Sequence, residues 1–414
     1  MTLALRVGTL IDGSGRDPLR SAVLLVENGR IMRVGTESEV TVPADARRLD
    51  YDGLTVVPGF IDCHVHLVFS GKENPLADVL AEDDFTILLR AAENARQALR
   101  AGVTTVRDLG GRAGTTMALR DAIDRGIMPG PHIMACGAPI TLTGGHCHFL
   151  GMEADTESDV RLAVRRQVKQ GVDGLKIMST GGRMTPRTNV RVAQYTVEQI
   201  SAAVQETRRA NMTIAAHGHG TAGIRNAVRA GVDTVEHCSW IGEDGLEFDE
   251  QTARLMATTP VRVVATLTPV KLVTVRDPAS LDDAGRETLN FRPSMVANYR
   301  RMRELGVRFA AGTDAGVTRT PLDSMPWELQ IMVDELGFTP LEAIQAATAE
   351  AADAIGLAHD RGTLQSGRRA DMLIVNGDPA NNIADLRRVH AVLKDGEVVV
   401  QGQSVLDAPP WSGL

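Results

Sequence analysis

Thr55-Val-Val-Pro-Gly-Phe-Ile-Asp-Cys-His-Val-His66 decides how the rest of the chain is read. An apolar run ends in two histidines spaced i, i+2, and on a β-strand that spacing sends both imidazoles to one side. Pro58-Gly59 kinks the approach, and the strand delivers both rings at its carboxyl end. In an α/β barrel that end carries the chemistry. Two neutral imidazoles converging there can hold a divalent transition metal. Two donors alone fit an ordinary pair of surface or core histidines equally well, so further ligands have to come from elsewhere.

Outward from this segment one pattern recurs: a helix, a glycine, then a β-branched residue opening a strand. It stands at Ala101-Gly102-Val103, Arg125-Gly126-Ile127, Gln170-Gly171-Val172, Ala230-Gly231-Val232 and Leu305-Gly306-Val307. Glycine accepts the left-handed conformation that closes a helix. A strand starting directly afterwards is the short connection of a parallel α/β fold. Thr196 with Gln199, and Thr339 with Glu342 and Pro340, read as helix-opening capping boxes. Short apolar candidate strands are Thr55–Ile61, Thr104–Arg107, His132–Ala135, Gly174–Met178, Thr213–Ala216, Asp233–Glu236, Arg262–Thr266 and Arg308–Ala311. A doubly wound sheet is the alternative, but no Gly-x-Gly-x-x-Gly follows an early strand.

The two ends read differently. Ala4–Leu10, Ser21–Val26 and Arg30–Val34 are strands, as are Ala370–Val375, Val389–Lys394 and Glu397–Val400. Asn28-Gly29 and Asp395-Gly396 are hairpin signals between them. The expected fold class is α/β. A (β/α)8 TIM-like barrel covers residues 55–364, and a small β-sandwich domain is built from both termini, residues 1–54 plus 365–414.

Composition narrows the function classes. The 414 residues exceed one simple core, and 43% hydrophobic with 23% charged residues is ordinary for a globular enzyme. The 44 Lys and Arg against 52 Asp and Glu leave a net charge of −8, so no basic field serves nucleic acid or an anionic membrane. The N-terminal residues lack the regions of a signal peptide, no apolar run spans a bilayer, and four cysteines make no disulfide framework. A cytoplasmic location is expected. Cys63, Cys147 and Cys238 each adjoin a histidine of interest, as ligands, reactive thiols or small buried packing residues.

Four more polar residues stand where candidate strands end. Lys176 lies inside Gly174-Leu-Lys-Ile-Met178. A lysine there must be neutralised, modified or snorkelling, because a bare buried ammonium is expensive. Its free amine could add carbon dioxide to become a carbamate that bridges two metals. His217 ends Thr213-Ile-Ala-Ala-His and His237 ends Asp233-Thr-Val-Glu-His; each alone is also compatible with a hydrogen-bonded core histidine. Asp314 ends Phe309-Ala-Ala-Gly-Thr-Asp, where it could equally cap a helix.

The ordered set His-x-His, Lys, His, His, Asp resembles the binuclear metal-dependent amidohydrolase superfamily over nearly the whole chain. Pro58–His66 matches its opening signature. Ala216-His217-Gly218-His219-Gly220, Val235-Glu236-His237 and Gly312-Thr313-Asp314 look like its fifth, sixth and eighth strand motifs. The branch it is most similar to is imidazolonepropionase-like, with prolidase-like Xaa-Pro and Xaa-Arg dipeptidases. The resemblance implies two zinc ions, one held by His64, His66 and Asp314 and the other by His217 and His237. It implies N6-carboxylated Lys176 as bridging ligand and Asp314 as the group that takes a proton from water and passes it to the leaving amine. Two departures stand out. One-metal relatives carry a glutamate three residues beyond the fifth-strand histidine, where this chain has Gly220. Cys238 follows His237 where many relatives have glycine.

For the substrate pocket, Gly144-Gly-His-Cys-His-Phe149 offers His146 and His148 as catalytic donors to a carbonyl or an oxyanion, with His219 as a further candidate. Amides of Ser179-Thr-Gly-Gly182 could bind an anion. Arg183, Arg187, Arg191 and Tyr195 follow, and one of them could grip a carboxylate. The loop Phe69–Ala81 is expected near the mouth, and Phe69, Leu76 and Phe149 point to an aromatic or apolar side chain. The expected activity is hydrolysis of an amide in a dipeptide or N-acyl amino acid, for which an amide-linked mycotoxin such as ochratoxin is a fitting case. A lactonase, a carbamate or urea hydrolase, and a phosphotriesterase-like enzyme are alternatives on the same site. A metal-free binding protein is another, which loss of a ligand would signal; all six positions are filled. The expected partners are a small-molecule or short-peptide substrate and further copies of the chain in a homo-oligomer.

Overall fold

The computed structural model describes residues 2–405; residue 1 and residues 406–414 of the expected terminal domain lie outside the described residues. The N-terminal strands are β1 (Leu3–Leu10), β2 (Leu19–Glu27), β3 (Arg30–Thr36) and β4 (Arg47–Pro58). Then come β5 (Phe60–Val65), β6 (Val103–Asp108), β7 (His132–Ala135), β8 (Ile140–Thr141), β9 (Met152–Glu153), β10 (Leu175–Met178), β11 (Ile214–Gly220), β12 (Thr234–Ile241), β13 (Arg262–Val264) and β14 (Arg308–Phe309). The C-terminal strands are β15 (Met372–Val375), β16 (Arg388–Lys394) and β17 (Glu397–Val405).

Both ends of the chain meet in one hydrogen-bonded sheet, in the order β17-β16-β15-β4-β1-β2-β3. Its apolar face has its own core, including Leu5, Leu24, Ile31, Val56, Met372, Ile374 and Leu393. The hairpin turns form as read. Asn28 and Gly29 have φ of 49° and 75°, and Asp395 and Gly396 have 51° and 78°, the left-handed pair that a tight twisted hairpin needs.

One expected strand is divided. Thr55–Pro58 belongs to the terminal sheet, where Val56 pairs with Ile374 and Val57 with Leu373 in antiparallel register. Only from Phe60 does the chain enter the parallel region and pair with β6. The apolar run is continuous across this boundary, so hydrophobicity does not mark it. The corner is Pro58-Gly59, and a Cβ on Gly59 would stand 2.3 Å from Thr104 Oγ1, which only glycine avoids.

The other seven expected strands all occur, parallel to their neighbours and buried apart from their first residues His132 and Arg308. The short β8 and β9 were not expected from the sequence. The ladders form two sheets, β14-β13-β12-β11-β10-β8-β9 and β5-β6-β7, rather than one closed ring. Backbone bonds join them at both margins. On one side Asp314 N–H donates to His64 O at 2.7 Å and Cys63 N–H to Ala311 O at 3.1 Å; on the other Asp173 N–H donates to Ala135 O at 2.9 Å. The helix-closing glycines 102, 126, 171, 231 and 306 all have φ between 70° and 88°. Both expected capping boxes are present, and Thr156 with Asp159 makes a third. The parallel strands therefore end together, with their carboxyl ends carrying the residues singled out above.

Candidate metal centre

His64 in β5, Lys176 in β10, His217 in β11 and His237 in β12 converge with His66, which directly follows β5, and Asp314, in the loop after β14. Asp314 Oδ1 is 3.3 Å from His64 Nε2 and 3.4 Å from His66 Nε2. His217 Nδ1 and His237 Nε2 lie 3.0 Å apart. His64, His237 and Asp314 present donor atoms to one point, and His217, His219 and His237 to a second. His237 belongs to both groups. His219 is thus closer to the centre than the sequence suggested, its ring stacked on His237 with centroids 4.5 Å apart.

The remaining ring nitrogens of His64, His217 and His237 are tied to the protein, whereas His66 Nδ1 has no hydrogen-bond partner among the described residues. His64 Nδ1 faces Glu236 Oε2 at 2.8 Å, His237 Nδ1 faces Thr266 Oγ1 at 2.8 Å, and His217 Nε2 faces Gly181 O at 3.1 Å. Such bonds fix the tautomer and leave the other nitrogen lone pair aimed inward. Glu236 is in turn held by Arg107 Nη2 at 2.9 Å and by Thr234 Oγ1. Burial alone would raise the Glu236 pKa, but Arg107 and His64 outweigh it and hold the carboxylate down at about 2. Thr266 is steadied from behind: Glu328 accepts the amides of Leu267 and Thr268, at 2.7 and 2.8 Å.

The electrostatics suit metal ligation. Burial, with Lys176 nearby, lowers His64 to about 4, and burial with crowding by neighbouring imidazoles takes His217 and His237 well below the usual value. They are therefore neutral at pH 7, the form that metal ligation requires. Burial also lowers the Lys176 ammonium. Lys176 Nζ and Asp314 Oδ1 are buried without a hydrogen-bond partner among the described residues. An orphaned buried ammonium and carboxylate oxygen are costly, and a bridging carbamate and a cation satisfy both. His237, Thr266 and Asp314 hold φ of 63°, 51° and 56°, backbone strain of the kind that gathers at functional sites.

A cavity of about 320 Å³ opens above the six residues. His146, His219, Phe69 and Arg183 line it as expected. Burial, with Lys176 nearby, keeps His146 neutral with a pKa of about 3, and its Nδ1 meets Thr185 Oγ1 at 3.0 Å.

Six expected pocket residues stand outside the lining, Leu76 and Phe149 among them. His148 is exposed in a 3₁₀ turn over His148–Leu150. The i, i+2 rule places two rings on one side only in extended chain, and the left-handed Cys147 between them, φ 57°, turns His148 outward. Tyr195 is buried and donates its hydroxyl to Ala154 O at 2.8 Å, a packing role. Arg187 is exposed with φ of 66°, and Arg191 is paired with Glu287. The Ser179–Gly182 amides are not an anion nest: Ser179 N–H donates to His217 O at 3.1 Å and Gly182 N–H to Thr188 Oγ1 at 3.2 Å. Gly182 is there for clearance, since a Cβ would lie 2.2 Å from His146 Nε2.

The cavity also gathers residues the sequence did not nominate: Arg276 and Arg319, both anchored to Glu73, and Val270, Val273 and Met295. Nothing local marks those arginines. Glu236 and Arg107 did carry a signal, a charged residue inside an apolar strand, the same one that exposed Lys176. Cys63 and Cys147 are buried, which pushes both thiols up to about 12, and burial takes Cys238 well above the usual value, so all three stay protonated at neutral pH; Cys147 lines the cavity with its Sγ 3.5 Å from His146 Nε2.

Comparison with known proteins agrees with this geometry. The amidohydrolase family description matches residues 55–399. The ochratoxinase of Aspergillus niger is 30% identical across 98% of this chain and 87% of its own length. The imidazolonepropionase of Geobacillus kaustophilus (strain HTA426) is 25% identical across 92% of this chain and 90% of its own. Among solved structures, a Xaa-Pro dipeptidase with methionine bound in the active site superposes with a TM-score of 0.86 at 28% identity, covering 97% of this chain and all of that one. The A. niger ochratoxinase structure superposes with a TM-score of 0.84, covering 99% of this chain and 97% of that one.

Proposed function

The chain belongs to the amidohydrolase family and is a hydrolase, and from that premise we propose that it cleaves the amide bond between an acyl group and an α-amino acid with a free carboxylate. Dipeptides and N-acyl amino acids are the class, with aromatic, ochratoxin-like amides the preferred members. The observation that carries the reading is Lys176 Nζ, buried without a hydrogen-bond partner among the described residues, on the same cavity wall as the other five candidate ligands. We read the two parallel sheets as one (β/α)8 barrel that begins at Phe60 rather than residue 55 and runs to residue 364, flanked by the terminal sheet.

His64, His66 and Asp314 would hold one divalent ion and His217 and His237 the other, zinc in our reading, with Lys176 as its carbamate between them; the ions supply Lewis acidity and lower the pKa of water. The residues of the chain supply the rest. Asp314 Oδ1 has no hydrogen-bond partner among the described residues, and with the nearby His64 and His66 nitrogens turned to the ion it would take a proton from water and deliver it to the leaving nitrogen. His146 and His219 face the cavity as neutral rings, able to donate to the carbonyl oxygen as charge develops on it. Arg183, paired with Glu287, and Arg276 and Arg319, paired with Glu73, line the cavity and would share those pairings with the carboxylate, and Phe69, Val270, Val273 and Met295 supply the apolar surface for a side chain.

Chelation is expected to abolish activity, and zinc returned to the stripped protein should restore it up to a plateau requiring about two ions at the catalytic centre. Full activity after complete metal removal would end the metal-dependent reading. The substrate class is tested by comparing an N-acyl-phenylalanine with its carboxamide-capped analogue. Loss of the paired carboxylate contact should lower kcat/KM by about 10- to 100-fold. Equal values would remove the carboxylate pocket, and turnover of lactones or phosphotriesters without amide activity would favour a different hydrolase.

A further inference from the structure

At the opposite end of the parallel strands, His132 opens β7, Asp371 directly precedes β15, and Asp395 sits in the β16–β17 turn. They converge although 239 residues separate the first from the second. His132 Nε2 lies 3.3 Å from Asp395 Oδ2 and 3.8 Å from Asp371 Oδ2. Ligand atoms bound to zinc at about 2.0–2.1 Å stand about 3.3 Å apart across a tetrahedral angle, so this spacing already matches a coordination sphere.

The bonding of each group points the same way. Asp371 is 5% exposed, and its Oδ2 has no hydrogen-bond partner among the described residues; neither has His132 Nε2. The other oxygen of each carboxylate is fixed by the protein. Asp371 Oδ1 accepts the Asp395 amide at 2.8 Å, and Asp395 Oδ1 accepts Arg369 Nη1 at 2.6 Å. Each carboxylate is thus oriented by one oxygen and offers the second to a common point, as metal-binding carboxylates do.

Three cations surround the cluster, and the hydrogen bond from one of them, Arg369 to Asp395 Oδ1, reaches it. Arg361 Nη1 is 3.9 Å from Asp371 Oδ2 but donates to Thr105 Oγ1 at 2.7 Å. Lys394 Nζ donates to Gly130 O at 2.9 Å, and Arg369 divides its bonds between Asp360 and Asp395 Oδ1. A cavity of about 790 Å³, lined by His132 and Asp395, gives an ion and its remaining water ligands a way in.

We propose that His132, Asp371 and Asp395 form a second metal site, separate from the catalytic centre, that binds a divalent transition ion through one imidazole and two carboxylates. The ion fastens the amino end of β7 to the terminal sheet at two points. Its role is structural, because the site lies away from the strand ends that carry the hydrolytic residues.

The test is zinc binding to the full-length protein, measured by equilibrium dialysis with elemental analysis, for wild type and His132→Gln. The variant should hold one zinc fewer per chain and keep the wild-type kcat. Equal zinc content in the two proteins would overturn the proposal. Should His132→Gln fail to fold, anomalous diffraction at the zinc edge from wild-type crystals decides: a peak between the three side chains supports the site, and none at saturating zinc overturns it. Because activity is read separately, failure of this site leaves the catalytic reading intact, and failure of that reading leaves this site to stand.

Discussion

Lys176→Ala should lose its catalytic metals and at least about 10³-fold in kcat, since a metal centre lowers the barrier by several kcal/mol and each 1.4 kcal/mol is about tenfold. The argument starts from burial: Lys176 is 1% exposed, and its Nζ has no hydrogen-bond partner among the described residues. Burial lowers its pKa, which raises the fraction of free amine able to attack carbon dioxide. The product is a carbamate: the ammonium first gives up one proton, the free amine then forms the N–C bond with carbon dioxide and loses a second, and a cation becomes an anion. Lys176→Arg is the informative control, because a guanidinium stays charged and cannot carry that modification. Elemental analysis and kcat should fall together in both variants, and short carboxylates should restore part of the alanine variant's activity. A fully active Lys176→Arg protein would rule out the carbamate.

Asp314→Asn should lower kcat by about 10²- to 10⁴-fold while moving KM little, the pattern of a group whose main contribution is made in the transition state. Burial alone would raise the Asp314 pKa, but His64 and His66 outweigh it and keep the carboxylate below its usual value, so it is a base at neutral pH. The fold should survive, because the strand contact here is a backbone bond, Asp314 N–H to His64 O at 2.7 Å. Steady-state kinetics with metal content measured on the same sample separates proton transfer from ligation. An unchanged kcat removes Asp314 from the role of base. A kcat loss matched by an equal loss of metal, and cured by excess zinc, would make it a ligand alone.

The sequence by itself determined the features written in short-range chemistry. The Asn28-Gly29 and Asp395-Gly396 turns, the helix-closing glycines and the capping boxes depend on a few neighbouring residues, and all formed as read. The six ligand candidates were legible for a related reason. A polar group at the end of an apolar strand is out of place unless something there binds it. That logic reaches only as far as the strand does. Tertiary structure decided that Thr55–Pro58 belongs to the terminal sheet, because a continuous apolar run buries equally well in either sheet. It also decided that His146 faces the cavity while His148 does not, since a left-handed residue between them cancels the strand rule. Arg276 and Arg319, rather than Arg187 and Arg191, reach the cavity because Glu73, distant in sequence, holds them there. The His132, Asp371 and Asp395 cluster follows the same principle: its members sit in segments whose local patterns say strand and turn, and only the docking of the terminal sheet beneath the parallel strands aims their free lone pairs at one another.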